Sequence, residues 1–284
     1  MKKWLAKICT VALAVVACFT CFAGCNKEDK NVKVMKDILL TEEDYAFAIA
    51  KENTDLLNTV NACLAEWKED GSLDALINSY FDGAATFSYK NKTANPQSGD
   101  FVMATNAYFP PFEYKEGEAF KGVDVELASK LATAMGKNLF VYDMEFGAII
   151  SSVQNGESDI GMAGMTVTDT RLQQVNFATP YYKSAQVITV LASDTTFDSC
   201  TTATDVENIL KTKDKNYKIG TQKATTGYMY SNGDVDFEYD GFTNLTTAAY
   251  TTGALAMKDL QNGKVNAVIL DLQPSLMIAK NLNN

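Results

Sequence analysis

Short apolar runs alternate with amphipathic stretches from residue 101 to the end of the chain, and this alternation limits the possible folds most strongly. Strands alternating with helices build sheets whose strands run mainly parallel, with helices covering the faces. There are enough elements for two α/β lobes that meet near 185–192. The predicted strands are 101–105, 139–144, 160–163, 185–191, 217–221, 237–239 and 265–270, and the predicted helices are 123–135, 146–154, 205–210, one starting near 226, 248–260 and one starting at 274.

The charge and composition exclude several classes of function. The net charge is −10, and removing the first 24 residues, which carry three lysines and no acids, gives −10 − 3 = −13. So acidic a chain is a poor binder of nucleic acid. The sequence has no histidine, the commonest general base and metal ligand. Of its 6 cysteines, only Cys63 and Cys200 lie beyond residue 25, and we predict buried thiols, with a disulfide as the alternative. No cofactor and no metal are expected.

The N-terminus resembles a bacterial lipoprotein signal. Lysines precede a largely apolar run, 8–23, that is too short for a comfortable membrane span. Small residues then precede Cys25, although Phe22 stands where leucine is more usual. The resemblance implies a signal peptide over 1–24, lipidation of Cys25 and a polar tether over 25–31. An ordinary secretory signal is the alternative. Both kinds of signal predict an exported protein, and the lipoprotein signal also predicts an anchor on the outer face of the cell membrane.

Two helices precede the alternating region. Asn53 or Thr54 can cap the first, which Gly71 ends, and Ser72 can cap the second. The periodicity disappears over 82–100, where Asn, Pro, Gly and Ser are typical of a linker.

A candidate anion site follows the strand that ends near residue 163. Backbone N–H groups near Gly164 and Thr166 can face an anion, the Thr166 hydroxyl adds a donor, and Arg171 offers a planar pair of donors. This layout suits a carboxylate. A loop with one solvated arginine is the alternative.

Six stretches resemble the solute-binding proteins of bacterial polar amino-acid ABC importers, extracellular family 3, in the order in which that family has them. They are FVMATNAYFPPFEY at 101–114, GVDVEL at 122–127, the stretch 164–171, NFATPYY at 176–182, IGTQKATTG at 219–227 and NGKVNAVILD at 262–271.

The segment in front resembles the end of the same family. LTEEDYAFAIAK at 40–51 and EDGSLDALINSYF at 69–81 are similar to its closing strand and terminal helices. We therefore hypothesise a circular permutant in which 82–100 joins the original termini. Its 19 or so residues can span roughly 60 Å, and permutation is tolerated at surface sites between elements. The alternative is a truncated tandem gene whose front piece pairs with another copy.

The resemblance implies the two-lobed type II periplasmic-binding-protein fold, of class α/β, circularly permuted and joined by two hinge strands near 45–51 and 186–191. Lobe 1 would then contain 46–81 and 101–187, and lobe 2 would contain 32–45 and 188–284.

The same resemblance assigns a site for the backbone of an amino acid. Arg171 would bind the carboxylate, completed by Thr166 and Gly164 from its own lobe. Thr225 and Thr226, at a helix start in the other lobe, would contact the same group. A plain helix cap is the alternative for these two threonines. Ala224 stands where the family usually has glycine, which puts a close backbone approach there in doubt.

The remaining groups of the ligand would meet other residues. Asp271 would pair with the ammonium group, with a helix-capping aspartate as the alternative, and Phe109 and Phe146 would bracket the side chain. Asn106 and Gln222 would discriminate between side chains. Because binders of basic side chains often have aspartate at the position of Asn106, its uncharged amide argues weakly for a neutral ligand.

We therefore expect a monomeric lipoprotein that binds a polar amino acid and delivers it to the membrane subunits of an ABC permease, without catalysis. Two alternatives remain. One is a dehydratase-like enzyme on the same fold, whose signature we do not locate in the sequence. The other is a ligand-sensing lipoprotein that has lost transport.

Overall fold

A computed structural model describes residues 30–235 and 239–284. The predicted signal peptide, Cys25 and most of the tether lie outside these residues, as does most of the predicted strand 237–239. Among the residues that are described, no helix is long and apolar enough to cross a membrane.

The strands and helices follow one another much as the alternation predicts. The strands are β1 (Val32–Val34), β2 (Glu43–Tyr45), β3 (Ala48–Ile49), β4 (Phe101–Thr105), β5 (Tyr108–Phe109), β6 (Glu113–Glu116), β7 (Ala119–Lys121), β8 (Leu139–Asp143), β9 (Ile160–Gly161), β10 (Asn176–Phe177), β11 (Tyr182–Ser184), β12 (Gln186–Leu191), β13 (Lys218–Gln222), β14 (Thr246–Tyr250) and β15 (Ala267–Asp271). The helices are α1 (Thr54–Glu69), α2 (Ser72–Phe81), α3 (Val123–Ala134), α4 (Ile149–Gln154), α5 (Asp169–Gln174), α6 (Ala203–Lys211), α7 (Thr226–Asn232), α8 (Gly253–Gln261) and α9 (Leu272–Asn283), with a 3-10 turn at Phe146–Ala148 before α4.

Two five-stranded sheets define two lobes. The sheet of lobe 1 has the order β10-β3-β9-β4-β8, and the sheet of lobe 2 has the order β1-β12-β15-β13-β14. β4 runs parallel to β8 and β9, and β13 runs parallel to β14 and β15. By contrast, β3 and β12 run antiparallel to their neighbours. The prediction of α/β lobes with parallel sheets is therefore confirmed for the centres of the sheets, while the strands next to the crossings reverse direction.

The chain crosses between the lobes through a separate two-stranded ribbon. β2 pairs antiparallel with β11, so that Tyr45 lies opposite Tyr182. One crossing leads from β1 through β2 to β3, and the other leads from β10 through β11 to β12. The two crossing segments are therefore β2 and β11, which pair with each other. They lie a few residues before the crossings expected at 45–51 and 186–191.

The front segment lies against both lobes of the same chain. β1 pairs with β12 in lobe 2, and β3 lies between β9 and β10 in lobe 1. Helices α1 and α2 bury their apolar faces, including Val60 and Ile77, in the core of lobe 1. As predicted, Asn53 caps α1, accepting the N–H of Leu56 at 3.3 Å.

The predicted linker 82–100 lies along an open edge of lobe 1. Tyr89 and Phe120 exchange backbone hydrogen bonds of 2.9 and 2.7 Å. The side chain of Asn91 pairs with both backbone groups of Val141 in the edge strand β8, at 2.8 and 2.9 Å. An exposed sheet edge invites pairing with other chains, and this segment covers part of it.

One predicted helix, 248–260, begins too early. Residues 246–250 form the edge strand β14, and helix α8 begins only at Gly253, after the cap residue Thr252. Two alanines in the stretch TTAAY suggested a helix, but its β-branched threonines and tyrosine fit a strand. Parallel pairing with β13 over five residues decides the outcome.

Cys63 and Cys200 are both unpaired, as predicted, and only Cys200 is buried. They belong to different lobes, Cys63 beside the core of lobe 1 and Cys200 within that of lobe 2.

Candidate functional site

A closed cavity between the lobes brings all ten predicted ligand-binding residues together. The free space between these residues is about 10 Å³ for the centre of a water-sized sphere, which is room for about one water molecule. A larger ligand can therefore occupy the site only if the lining side chains or the lobes move apart. The lining residues are Asn106, Phe109, Phe146, Gly164, Thr166, Arg171, Gln222, Thr225, Thr226 and Asp271, together with Glu113 and Ala163, which the sequence analysis did not assign.

Arg171 contacts both lobes through its guanidinium group. Its Nη1 donates to the carbonyl oxygen of Thr166 at 2.7 Å, and its Nη2 donates to the carbonyl oxygen of Ala224 in lobe 2 at 3.1 Å. The group lies 5.3 Å from the centre of the Phe146 ring, within cation–π range. Thr168 caps the short helix α5, and its hydroxyl accepts a hydrogen bond from the backbone N–H of Arg171. This contact holds the backbone of Arg171 in place.

The threonine hydroxyls are already hydrogen-bonded within the protein. Thr166 of lobe 1 and Thr226 of lobe 2 donate to the same oxygen, Oε2 of Glu43, at 2.6 and 2.8 Å. The Thr225 hydroxyl donates to the carbonyl of Gln222 at 2.8 Å. A ligand carboxylate would therefore have to displace Glu43 or use backbone N–H groups. Glu43 connects the lobes at the place where the resemblance puts the ligand.

Gly164 lets the Phe109 ring approach the backbone and does not offer its N–H to the cavity. It adopts φ +51°, and a Cβ there would lie 2.7 Å from Cε1 of Phe109, so only glycine fits. Its N–H, which the sequence analysis directs at an anion, instead donates to Oδ2 of Asp124 at 2.9 Å. That part of the prediction is wrong because the buried Asp124 carboxylate needs donors of its own.

Ala224 adopts a backbone conformation that favours glycine. Its φ of 64° lies in the left-handed region, which costs an ordinary residue roughly 1–2 kcal/mol. This conformation directs its carbonyl at Arg171. The backbone at residue 224 thus comes close enough to Arg171 to accept its hydrogen bond, although the residue is not glycine.

Asp271 lies at the end of β15 and is 3% exposed. Tyr45 donates a hydrogen bond to its Oδ1, and Ser184 donates in turn to the Tyr45 oxygen at 3.1 Å. Burial, followed by the charge of Glu43, raises the pKa of Asp271 from 3.8 to about 7. Removing this carboxyl group from water thus favours its neutral form, and an ammonium group beside it would restore the charged form.

Asn106 and Gln222 meet across the two lobes. Nδ2 of Asn106 donates to the carbonyl of Met144 at 2.8 Å, and Nε2 of Gln222 donates to Oδ1 of Asn106 at 3.0 Å. The pair closes the cavity on one side. Beyond it lies an outer groove whose lining includes the exposed side chains of Tyr108 and Glu145, so these two residues contact the groove and not the closed cavity.

Three residues of the site have only weak signals in the sequence. Glu43 and Tyr45 lie two residues apart on β2 and are both buried, as residues on one face of a strand are. In the sequence alone, an acid and a tyrosine in this pattern fit a surface strand equally well. Glu113 begins β6 and is 0% exposed, whereas acids in short hairpins are mostly solvated. Among residues 30–235 and 239–284, no group of three or more acidic or cysteine side chains could hold a metal ion.

The buried carboxyl group of Asp124 in lobe 1 predicts a stability that depends on pH. Burial raises the pKa of Asp124 from 3.8 to about 7, even though Tyr181 donates to it at 2.6 Å. Between about pH 4 and pH 7 the folded protein keeps a proton that the unfolded chain has released. The free energy of unfolding should therefore fall as pH rises through this window, by up to about 1.4 kcal/mol per pH unit.

Thermal melting between pH 5 and pH 7 tests this expectation. The melting temperature should decrease with pH, and Asp124→Asn should make the decrease shallower. Asp259→Asn is the control, because hydrogen bonding to Lys264 lowers the pKa of Asp259 and takes its titration below this window. A melting temperature that rises from pH 5 to pH 7 would contradict the assignment.

Comparisons with known proteins identify related sequences and folds. The sequence profile of the bacterial extracellular solute-binding proteins, family 3, matches residues 101–237. An arginine-binding extracellular protein of Bacillus subtilis, ArtP, is 41% identical over 87 residues, 31% of this chain and 34% of that protein. The chain spans 34%, 62% and 64% of the lengths of the first three curated relatives that it matches.

Two solved structures are similar over more of their length. The substrate-binding protein of an amino-acid ABC transporter is 30% identical, with a TM-score of 0.50, covering 61% of this chain and 70% of that one. An ancestral amino-acid-binding protein, described as a precursor of cyclohexadienyl dehydratase, is 25% identical with a TM-score of 0.56, covering 65% and 75%.

Proposed function

Because this chain belongs to the bacterial extracellular solute-binding proteins of family 3 and has their two-lobed type II periplasmic-binding fold, we propose that it binds a polar amino acid between its lobes and delivers it to an ABC-type importer. Relatives in the family are named as binding proteins for amino acids, including arginine and histidine. The proposed activity is binding and release, coupled to lobe movement.

One observation carries the proposal. Arg171 of lobe 1 and Asp271 of lobe 2 line the same closed cavity. An α-amino acid presents a carboxylate and an ammonium group on one carbon, and each needs an opposite charge when it leaves water. A cation and an acid from different lobes can satisfy both groups only when the lobes are closed, which would couple binding to closure.

Isothermal titration with a panel of L-amino acids tests the proposal. A soluble form without the signal peptide and the lipidation site, residues 26–284, should bind at least one polar amino acid with a stoichiometry near one and without consuming it. The panel should include arginine, lysine, histidine, glutamine, citrulline and cystine. Absence of binding by the whole panel would refute amino-acid binding.

A dehydratase activity is the second candidate, since one structural neighbour is described as a precursor of such an enzyme. Burial raises the pKa of the carboxyl groups of Asp271 and Glu113, which favours their protonated forms. Incubation with a cyclohexadienyl acid distinguishes the two candidates. Loss of the substrate's characteristic absorbance would support the enzyme, and unchanged absorbance together with amino-acid binding would support the binding protein.

The membrane anchor belongs to the same proposal. The sequence pattern supports cleavage after residue 24 and lipidation of Cys25, which would hold the protein at the outer face of the membrane beside its permease. One chain of lipid gives only reversible attachment, whereas several acyl chains give a stable anchor. Cys25→Ser should release the protein from membranes into the soluble exported fraction, and continued membrane retention would exclude this anchor.

Circular permutation is also a proposal, and the contacts near residue 32 support it. The side chain of Asn283 donates to the carbonyl of Val32 and accepts its N–H, both at 2.9 Å. The end of α9 therefore lies beside the start of β1. In the order that the family resemblance implies, the segment that starts with β1 would directly follow α9.

A rearranged chain tests the permutation. Residues 101–284 followed directly by 32–81, with 82–100 removed, should fold and bind the same amino acid within about tenfold of the original affinity, because linker removal changes no cavity contact. A control that joins the pieces through a Gly-Ser spacer shows whether the junction is strained. A rearranged chain that forms only a domain-swapped dimer, or does not fold with either junction, would favour the tandem-gene account.

A further inference from the structure

Glu43 lies between the lobes at the place where the family resemblance puts the carboxylate of a ligand. Its Oε2 accepts hydrogen bonds from the hydroxyls of Thr166 in lobe 1 and Thr226 in lobe 2, at 2.6 and 2.8 Å. Its Oε1 accepts from the hydroxyl of Thr41 at 2.8 Å. The side chain is 5% exposed. These hydroxyls, and not open water, therefore provide the hydrogen bonds that its carboxylate needs.

Two of the three hydroxyls are oriented by Gln186 of β12. The Thr41 oxygen accepts the backbone N–H of Gln186 at 2.9 Å, and the Thr226 oxygen accepts its side-chain N–H at 3.0 Å. A hydroxyl that accepts on its oxygen still has one hydrogen to donate. In both threonines that hydrogen is directed at Glu43. The carboxylate of Glu43 thus fits a set of donors that is built in advance, as a bound ligand carboxylate would.

The two bonds to Oε2 of Glu43 come from different lobes. Next to Thr166, the N–H of Val167 donates to the carbonyl of Asp44 at 2.9 Å, so this part of lobe 1 is tied to β2 through its backbone. Thr226 instead begins α7 of lobe 2. When the lobes separate, we expect Glu43 to stay with Thr166 and to lose Thr226. The contact between Glu43 and Thr226 therefore forms on closure and stabilises the closed form.

An amino acid and the Glu43 carboxylate cannot occupy the closed site together. The cavity lined by Thr166 and Thr226 has room for about one water molecule while Glu43 holds both hydroxyls. Each hydroxyl has a single hydrogen to donate. A ligand carboxylate that uses these two donors must therefore take them from Glu43, which has to leave the site.

We propose that Glu43 is an internal substitute for the ligand carboxylate: it holds the protein closed in the absence of an amino acid, and the amino acid binds by displacing it. This proposal rests on the amino-acid-binding function proposed above and adds to it a competitor within the chain. The competition lowers the apparent affinity, because only molecules in which Glu43 has left the site can accept a ligand.

Asp271 explains why a ligand can win this competition. Burial, followed by the charge of Glu43, raises the pKa of Asp271 to about 7. Glu43 thus satisfies the threonines but adds a second acid near Asp271, which disfavours the ionised form of that residue. An amino acid supplies both a carboxylate for the threonine hydroxyls and an ammonium group for Asp271. It therefore meets a need that Glu43 leaves unmet.

Small-angle X-ray scattering measures the closed form directly. The soluble form, residues 26–284, is freed of bound ligand by unfolding, dialysis and refolding. Wild-type protein should then be compact, and the amino acid that it binds most tightly should change its radius of gyration little. Glu43→Ala should have a larger radius of gyration, which should return to the wild-type value when the amino acid is added. Glu42→Ala is the matched control, because Glu42 is the neighbouring acid and is exposed.

Acetate tests the same contact without any amino acid. It carries a carboxylate and no group for the other parts of the site, so it should close Glu43→Ala by accepting hydrogen bonds from Thr166 and Thr226. Sodium chloride at the same ionic strength should leave the variant open. The wild-type protein should respond to neither salt, because Glu43 already accepts both hydroxyls.

Isothermal titration measures the competition. Glu43→Ala should bind the same amino acid about tenfold more tightly than the wild type, since the variant has no internal competitor. Glu43→Gln should lie between the two, because a neutral amide oxygen accepts hydrogen bonds more weakly than a carboxylate. It also keeps the size of the side chain, so it carries the test if Glu43→Ala does not fold. Circular dichroism and thermal melting show whether each variant is folded.

The outcomes separate the two proposals. If neither the wild type nor Glu43→Ala binds any amino acid of the panel, the proposed function fails, and the scattering and acetate results alone decide whether Glu43 closes the lobes. If amino acids bind but ligand-free Glu43→Ala is as compact as the wild type, or binds more weakly than the wild type, the function stands and the role of Glu43 as a competitor is overturned. Weaker binding by the variant would place Glu43 among the contacts of the ligand itself.

Discussion

Arg171→Ala should reduce the affinity for every amino acid that the protein binds by about two to three and a half orders of magnitude. The α-carboxylate is common to all of them, and removing its buried cationic partner costs about 3–5 kcal/mol, with about 1.4 kcal/mol for each factor of ten. Isothermal titration with the binding members of the panel measures the loss. It should be similar for cationic and neutral side chains, because the lost contact does not involve the side chain.

Arg171→Lys and a surface control sharpen this result. Lysine keeps the charge but not the planar pair of donors, so it should recover only part of the affinity. Arg171 is the one arginine in the sequence, where the other cationic side chains are lysines. Lys264→Ala removes an exposed cation paired with Asp259 and should leave affinity unchanged. A loss confined to some side chains in Arg171→Ala would place Arg171 against the side chain instead of the carboxylate.

The fold could be predicted because its signals are local and repeated. The cap residue Asn53 and the buried runs of β4, β12 and β15 have patterns that only one type of element fits. The stretch at 246–250 failed because alanine is compatible with both states, and the pairing that decides between them involves a strand some 28 residues earlier in the chain.

The membership of the site could be predicted more fully than its hydrogen bonds. All ten assigned residues line one cavity, because motif positions identify which backbone segments meet there. Motifs do not show which acceptor uses each donor. The N–H of Gly164 bonds to Asp124 and the hydroxyls of Thr166 and Thr226 bond to Glu43, since buried acids compete for every nearby donor.

The second large effect is expected at the opposite lobe. Asp271→Asn keeps the shape of the side chain and an oxygen that can accept from Tyr45, but it removes the negative charge next to the ligand ammonium. A buried ammonium without a counter-charge costs several kcal/mol. We expect the affinity for the tightest-binding amino acid to fall at least 100-fold in isothermal titration, with little change in melting temperature.

An analogue of that amino acid in which hydrogen replaces the α-ammonium group isolates the contact. The wild-type protein should bind the analogue weakly, because Asp271 would then be buried beside no cation. Asp271→Asn should bind the analogue as well as the wild-type protein does, or better, since an amide needs no counter-charge. Asp198→Asn, an exposed acid of the same lobe paired with Lys33, is the control and should behave as wild type with both ligands. Should Asp271→Asn weaken both ligands equally, Asp271 acts by holding Tyr45, and the ammonium group must bind elsewhere in the cavity.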